Sequence, residues 1–325
     1  TVIANELVGV QPMTGPVGQI HTLRVRYSDT MTDATDANSS TTAGEEALSP
    51  FKIAEAYSGD AATAKAASTA ALEGAAGRKM SIQILKQTVE AKTRKLSARW
   101  TFEAAQDAQS MHGIDVEAEI MAALAQEITA EIDQEVIGSL VTLSGAAAQT
   151  YDQAAVSGTA TFVGDEHAAL AVQINRVSNL IAQRTRRGAG NWAVVSPFAL
   201  TILQSATTSA FARTTEGTFE APTNTKMVGT LNNAMKVYVN TYAADSAPVL
   251  IGYKGSSESD AAAFYCPYIP LMSSGVVLDP TSFEPTVSFM TRYGYVELNN
   301  TASSLGNAAD YLGNVAITNG NVSFS

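Results

Sequence analysis

One stripe constrains this chain more than anything else in it. Ile120, Leu124, Ile128, Ile132, Val136 and Leu140 recur every four residues, which places them on one face of a helix. The spacing predicts a helix from about Thr101 that breaks near His112-Gly113 and resumes from Asp115 to about Leu143, with Gly145 ending it. At 1.5 Å per residue the second part is roughly 40 Å long. A rod of that length with a single apolar stripe is a spine, and a sheet is expected to pack along it.

The spine also divides the charge. Arg78, Lys79, Lys86, Lys92, Arg94, Lys95 and Arg99 precede it with only Glu90 among them, and no Lys or Arg occurs between Arg99 and Arg176. That interval carries Glu103, Asp107, Asp115, Glu117, Glu119, Glu127, Glu131, Asp133, Glu135, Asp152, Asp165 and Glu166. Like charges four apart, such as Glu127, Glu131 and Glu135, destabilise an isolated helix by a few tenths of a kcal/mol per pair. Two readings stand. The acidic face is simply solvated, or the basic strand of one copy lies over the acidic helix of the next, in a head-to-tail contact that closes into rings. In the second reading, reversing Arg94 and Lys95 to Glu blocks assembly and leaves the monomer folded.

On either side of the spine the pattern changes. Gly9, Pro12, Gly15, Pro16 and Gly18 follow in close succession, so the opening segment is an irregular arm, neither helix nor central strand. An arm with no core of its own needs a surface, and a neighbouring copy is the expected one. Ile20 to Tyr27 alternates as a strand, with Leu23, Val25 and Tyr27 on one face and Arg24 and Arg26 on the other. Ser28 to Gly77 is rich in Ala, Ser, Thr, Gly and Asp, and only Leu48, Phe51, Ile53 and Tyr57 offer anchors for a short helix. Arg78 to Arg99 returns in extended form, so the whole is read as one projecting, hairpin-like excursion. An isolated hairpin is marginal in water and requires a partner surface.

From Ala168 a second α/β region begins. Leu170, Val172, Ile174, Val177, Leu180 and Ile181 outline a helix ending in Arg184, Arg186, Arg187 and Gly188. Asn191 to Val195 reads as a buried strand, Ser196-Pro197 as the start of another helix, and Thr207 to Thr225 as a polar loop. Lys236 to Tyr242, Val249 to Tyr253, Ala262 to Leu271 and Pro285 to Leu298 read as strands.

Composition excludes more than it assigns. With 325 residues, 46% of them hydrophobic, the core can be sizeable. A net charge of −11 and a pI near 4.8 argue against a protein built to grip nucleic-acid phosphates. Cys266 is the single cysteine, which excludes an intrachain disulfide and fits a reducing compartment; among Phe264, Tyr265, Pro267 and Tyr268 it reads as a buried thiol. No run approaches the length of a membrane span, and no signal peptide opens the chain. The first residue, Thr1, fits a processed terminus and equally an abbreviated chain.

Chemistry-bearing motifs are missing. His21, His112 and His167 are scattered, without the spacing of a zinc site. Gly188, Gly190 and Ala193 satisfy GxGxxA but precede a strand, where a dinucleotide fingerprint follows one. Asp33, Asp36 and Asn38 lack calcium-loop spacing. No catalytic, metal or cofactor residue is assigned.

Several segments do carry a resemblance. VGVQPMTGP (Val8 to Pro16), VEAKTRKLSARWTFEAAQDAQSMHGIDVEAE (Val89 to Glu119), Leu170 to Ser205 with RRGAGNWAVVSPFALTILQS, MKVYVNTY (Met235 to Tyr242), IGYKGSSESDAAAFYCPYIPL (Ile251 to Leu271) and FEPTVSFMTRYGYVE (Phe283 to Glu297) occur in this order. The series resembles the major capsid protein of T-even-type contractile-tailed phages and covers over half the chain. The resemblance implies an α+β, Hong Kong 97-type fold. Its parts would be an N-terminal arm (1–21), an extended loop (22–99), a peripheral domain with the spine helix (100–167) and return strands (256–299), an axial domain (168–255) and a C-terminal tail (300–325). The segment from Gly59 to Arg78 is much shorter than in the largest T-even subunit, so its insertion domain is expected to be missing, and the tail after Asn300 matches poorly. Function then follows as self-assembly into hexameric capsomers of a DNA-filled head in a bacterial host. Partners would be other copies, with decoration, vertex and portal proteins, and no membrane. Family members are trimmed by a phage protease, which would account for Thr1. The inter-subunit residues expected from charge are Arg24, Arg26, Lys92, Arg94, Lys95, Arg99, Glu127, Glu131 and Glu135, with Gly9, Pro12, Gly15 and Pro16 in the arm. An encapsulin-type nanocompartment shell is the alternative within the fold, and a soluble enzyme of unknown reaction the alternative outside it.

Overall fold

The break at His112-Gly113 is a junction between two capped helices. The Thr101 hydroxyl accepts from the Ala104 amide at 3.2 Å to start the first, and Gly113, at φ 67°, closes it in the left-handed region. Asp115 then accepts from the amides of Glu117 and Ala118 and opens the spine, which Gly145 ends. The computed structural model describes residues 4–45, 47, 53–155, 163–185, 187–205, 211–213, 226–231, 235–257, 261–298 and 308–320. Helices are α1 (Ala4–Leu7), α2 (Thr69–Leu72), α3 (Phe102–His112), α4 (Val116–Ser144), α5 (Val163–Thr185) and α6 (Pro197–Ser205). Strands are β1 (Gly9–Val10), β2 (Val17–Tyr27), β3 (Met80–Glu90), β4 (Lys92–Arg99), β5 (Gln149–Asp152), β6 (Trp192–Val195), β7 (Phe211–Arg213), β8 (Lys226–Leu231), β9 (Met235–Val239), β10 (Val249–Gly252), β11 (Ala263–Ser273), β12 (Val277–Leu278), β13 (Pro285–Glu297) and β14 (Leu312–Thr318).

Among the described residues the strands form three sheets. A five-stranded sheet has the order β1-β11-β13-β12, with β4 also on β13. A mixed seven-stranded sheet runs β5-β14-β10-β6-β9-β8-β7, and β2 and β3 form a two-stranded antiparallel ribbon. Alternation along the strands explains the layering. In the seven-stranded sheet Trp192, Val194, Tyr238, Leu250 and Leu312 share a core with the α4 stripe. Their neighbours Ala193, Val195, Val237, Val249 and Ile251 pack with Leu170, Ile174, Val177 and Ile181 of α5 and with Ile202 of α6. Val287, Phe289 and Tyr293 of the five-stranded sheet join the α4 core as well. The spine is thus shared by two sheets rather than backed by one.

Several sequence expectations need correction. The helix expected from Ala168 starts at Val163, and Val172, assigned to its apolar face, is exposed. The polar loop Thr207 to Thr225 falls mainly outside the described residues, yet within it Phe211–Arg213 pairs antiparallel with β8. The return is extended to Arg99 as expected, but it does not keep one partner. Ala91 separates β3, which pairs with β2 from Val17↔Glu90 to Tyr27↔Met80, from β4, which pairs with β13 from Thr286↔Arg99 to Tyr293↔Lys92. The basic strand Lys92–Arg99 therefore belongs to the five-stranded sheet and not to the excursion.

The tip of the excursion is also more built than its composition suggests. Leu48 and Phe51 lie outside the described residues, and Ile53 is exposed. Of the expected anchors Tyr57 is buried, and it packs with Tyr27, Met31, Ala54 and Ala56, the two tyrosine rings 4.4 Å apart. Arg78 Nη1 donates to the carbonyls of Ala56, Tyr57 and Gly59 and ties the knob to the root of β3.

Both ends of the described chain lie on its own sheets. Leu7 and Val8, 1% and 0% exposed, sit in the chain's own core. Gly9 and Val10 pair in parallel with Phe264 and Tyr265, and the Gln11 and Met13 amides donate to Tyr265 and Pro267. At the other end β14 lies between β10 and β5 within the seven-stranded sheet. The expectation that the arm has no core of its own is corrected: among the described residues Leu7 to Val10 are buried or paired within the same chain.

The glycines of GxGxxA have a packing reason. A Cβ at Gly188 would meet the Tyr253 ring at 2.9 Å, and one at Gly190 would meet Ile251 Cγ2 at 2.8 Å. Close approach of the turn after α5 to β10 and Tyr253 requires both.

Candidate assembly surfaces

The charged residues singled out from sequence fall into two groups. Arg94 stands on β4 with its side chain over α4. Its guanidinium donates from Nη1 to Glu131 at 3.0 Å, from Nη2 to Glu135 at 2.8 Å and from Nε to the Tyr293 hydroxyl at 2.7 Å. Tyr293 in turn donates to Glu135. Burial pulls the Glu135 carboxyl upward, but Arg94 and Tyr293 outweigh it and hold the group below the usual carboxylate range. Burial and the same carboxylate push the Tyr293 phenol to about 12. Arg94, Glu131 and Glu135 are therefore spent within one chain, and the expected pairing of these three across copies is corrected. Charge segregation along the sequence has become complementarity between β4 and α4 of the same fold. Arg99 similarly lies 3.6 Å from Glu284 of its own chain.

Of the remaining cations, Lys92 adds its charge to the lowering of the Glu135 carboxyl. Lys92 and Lys95 are exposed on β4, and Glu127 is exposed on α4. Arg26 donates from Nη1 to the Gly44 carbonyl at 2.8 Å. Arg24 lies on β2 opposite Gln83, and its side chain is outside the described residues. In the arm, Gly9 is in β1, and Pro12, Gly15 and Pro16 carry the chain from that edge to β2.

Charge reasoning missed an apolar surface. Register places Leu23 opposite Ile84, Val25 opposite Ile82 and Tyr27 opposite Met80, so these side chains share one face of the ribbon. Leu23, Ile82 and Ile84 are 65%, 69% and 67% exposed. Met80, Ile82 and Ile84 at every second residue were the signal, legible as a strand face but not as an uncovered one. A second exposed apolar group gathers Val276, Val277, Leu278 and Phe283 around the β12 turn.

Groups with chemical potential are placed apart. His21 is on the ribbon and His112 ends α3. His167, buried in α5, bonds Ser205 through Nδ1. Cys266 is buried beside Val89 and Phe264, and burial raises its thiol pKa. Among the described residues no group of His, Cys, Asp or Glu is arranged to hold a metal ion, and no helix is long and apolar enough to cross a membrane.

Comparison with known proteins agrees with the resemblance. The family model described as "Major capsid protein Gp23" matches residues 1–317. The major capsid protein of Vibrio phage KVP40 is 30% identical over 91% of this chain and 73% of its own length. That of Enterobacteria phage T4 is 36% identical over 69% of this chain, which spans 46% of the longer protein. Among solved structures, a chain of Mycobacterium phage Bobi aligns over 98% of this chain and 90% of its own at a TM-score of 0.57 and 16% identity. The capsid of Myoviridae phage XM1 aligns over 96% and 90% at 0.51 and 12%. Such identities show the fold alone, an α+β fold of the Hong Kong 97 type. The family is a structural one and selects the phage head over both the encapsulin-type compartment and an enzyme. An uncovered ribbon, a shared spine core, a family match over residues 1–317 and the capsid fold converge: the chain belongs to the Gp23 family of major capsid proteins, which form the shell of the phage head.

Proposed function

We propose that copies of this chain associate into hexameric capsomers, which close into a shell around double-stranded DNA, and that the β2–β3 ribbon with its knob reaches over a neighbouring copy. In this reading the ribbon is the extended loop of the capsid fold. The α4 core with the five-stranded sheet forms the peripheral domain, and the seven-stranded sheet with α5 and α6 forms the axial domain. The observation that carries it is the apolar face of Leu23, Ile82 and Ile84, exposed on a ribbon with only two strands. Two strands alone are marginal in water, and an uncovered apolar stripe marks a contact surface.

Charge contributes orientation more than affinity. Lys92, Lys95 and Arg24 on one copy and Glu127 on another are the contacts left for this role, each exposed pair adding at most about 1 kcal/mol. Many repeated contacts make a shell of weak interfaces collectively stable. Decoration, vertex and portal proteins are the further partners this role calls for.

The test is a double substitution, Ile82→Ser with Ile84→Ser. Both side chains are exposed, so the monomer is expected to keep its circular dichroism and elution volume while electron microscopy shows no closed particles. Normal particles from this variant would overturn the ribbon contact.

A further inference from the structure

The chain passes covalently between the two large sheets between β4 and β5 through α3 and α4, between β10 and β11, and between β13 and β14. A further link is not covalent. Residues 4 to 13 are fastened at one end to the seven-stranded side and at the other to the five-stranded sheet. On the first side, Lys254 Nζ donates to the Asn5 carbonyl at 2.7 Å and the Tyr238 hydroxyl donates to Glu6 at 3.3 Å. On the second, β1 adds two residues in parallel to the edge of β11, and the amides of Gln11 and Met13 donate to Tyr265 and Pro267 at 3.1 and 2.9 Å. Between these fastenings Leu7 and Val8 enter the one core that both sheets share with α4.

We infer that this segment is a latch that sets the angle between the two lobes, with α4 as the pivot. The fastenings are the weakest kind on each side. A single helical turn is below the length that holds itself, and a two-residue parallel pairing is the shortest ladder a sheet edge can carry. Asn5 and Glu6 are exposed, so the first bonds to open are the ones water reaches. Opening the latch withdraws Leu7 and Val8 from between the lobes and leaves the sheets joined by the covalent crossings and by their packing on α4. Because the segment bonds both lobes, cutting its bonds to one loosens its bonds to the other. A segment merely tucked against the surface has no such coupling.

The experiment uses the full chain as a soluble subunit. Tyr238→Phe with Lys254→Met removes the Glu6 and Asn5 bonds on the seven-stranded side, and the single change Lys254→Met serves if the pair does not fold. Native-state hydrogen exchange is read at the Gln11 and Met13 amides, which bond to the opposite sheet. Lobe geometry is read by double electron–electron resonance between spin labels at Gln109→Cys on α3 and Val172→Cys on α5, both exposed, while Cys266 is buried. Severalfold faster exchange together with a broadened distance distribution is the expected result. Unchanged protection at Gln11 and Met13, or an unchanged distribution, would overturn the latch.

Discussion

Arg94 shows how a residue's role depends on partners far away in sequence. Its acidic partners lie 37 and 41 positions on and its tyrosine 199, so no local pattern identifies them. Sequence indicated the correct charges and the wrong molecule. The network has a pH signature. Glu135 is held below its ordinary value of 4.5, so its contribution is present above that pH and is lost as pH falls through the folded value. Urea midpoints measured from pH 6 down to pH 3 are therefore expected to fall more steeply for the native chain than for Glu135→Gln, with the two curves converging at the acid end. Reversal of Arg94 to Glu would now place a third carboxylate against two others, so it is expected to harm the monomer before it harms assembly.

At the scale of elements, legibility tracks how local the determinants are. The α3–α4 junction was read to within a residue because caps and stripe lie within a few positions of one another. Likewise the start of α6 was legible, since Ser196 caps it through the Ala199 amide. The Asp115 cap is expected to contribute about 1 kcal/mol. Asp115→Ala should lower the urea midpoint by that amount, and Asp115→Asn should restore most of it. By contrast, the assignments of β1, β4 and β14 to sheets were not legible. An arm with Gly and Pro reads as irregular whether it lies on its own sheet or on another copy. A strand's alternation likewise gives its faces without naming its neighbours. The ribbon stands between these cases: its register face was readable, and its lack of cover was not.

For the whole molecule, the shared α4 core makes the two lobes one cooperative unit. Leu140 is fully buried in that core, and Leu140→Ala is expected to cost about 2–5 kcal/mol. The loss should shift one common unfolding transition, whether followed by Trp192 fluorescence on the seven-stranded side in a Trp100→Phe background or by Trp100 fluorescence beside β13 in a Trp192→Phe background. Two separated transitions would show that the helix does not join the lobes. Charge and composition bounded the class correctly at this scale, and the ordered series of family-like segments identified the fold. What they could not supply was the account of which copy each segment lies on.

The place of β14 has a consequence for how the polypeptide matures during synthesis. Its neighbours β5 and β10 are made well before it, yet they have no ladder to each other and stand apart until residues 312–318 arrive between them. A nascent chain stalled short of that point carries an unfinished lobe with two bare strand edges, while its ribbon, already made, has an apolar face to offer. Keeping the keystone for late translation leaves half-made subunits without a finished lobe to contribute to a growing lattice.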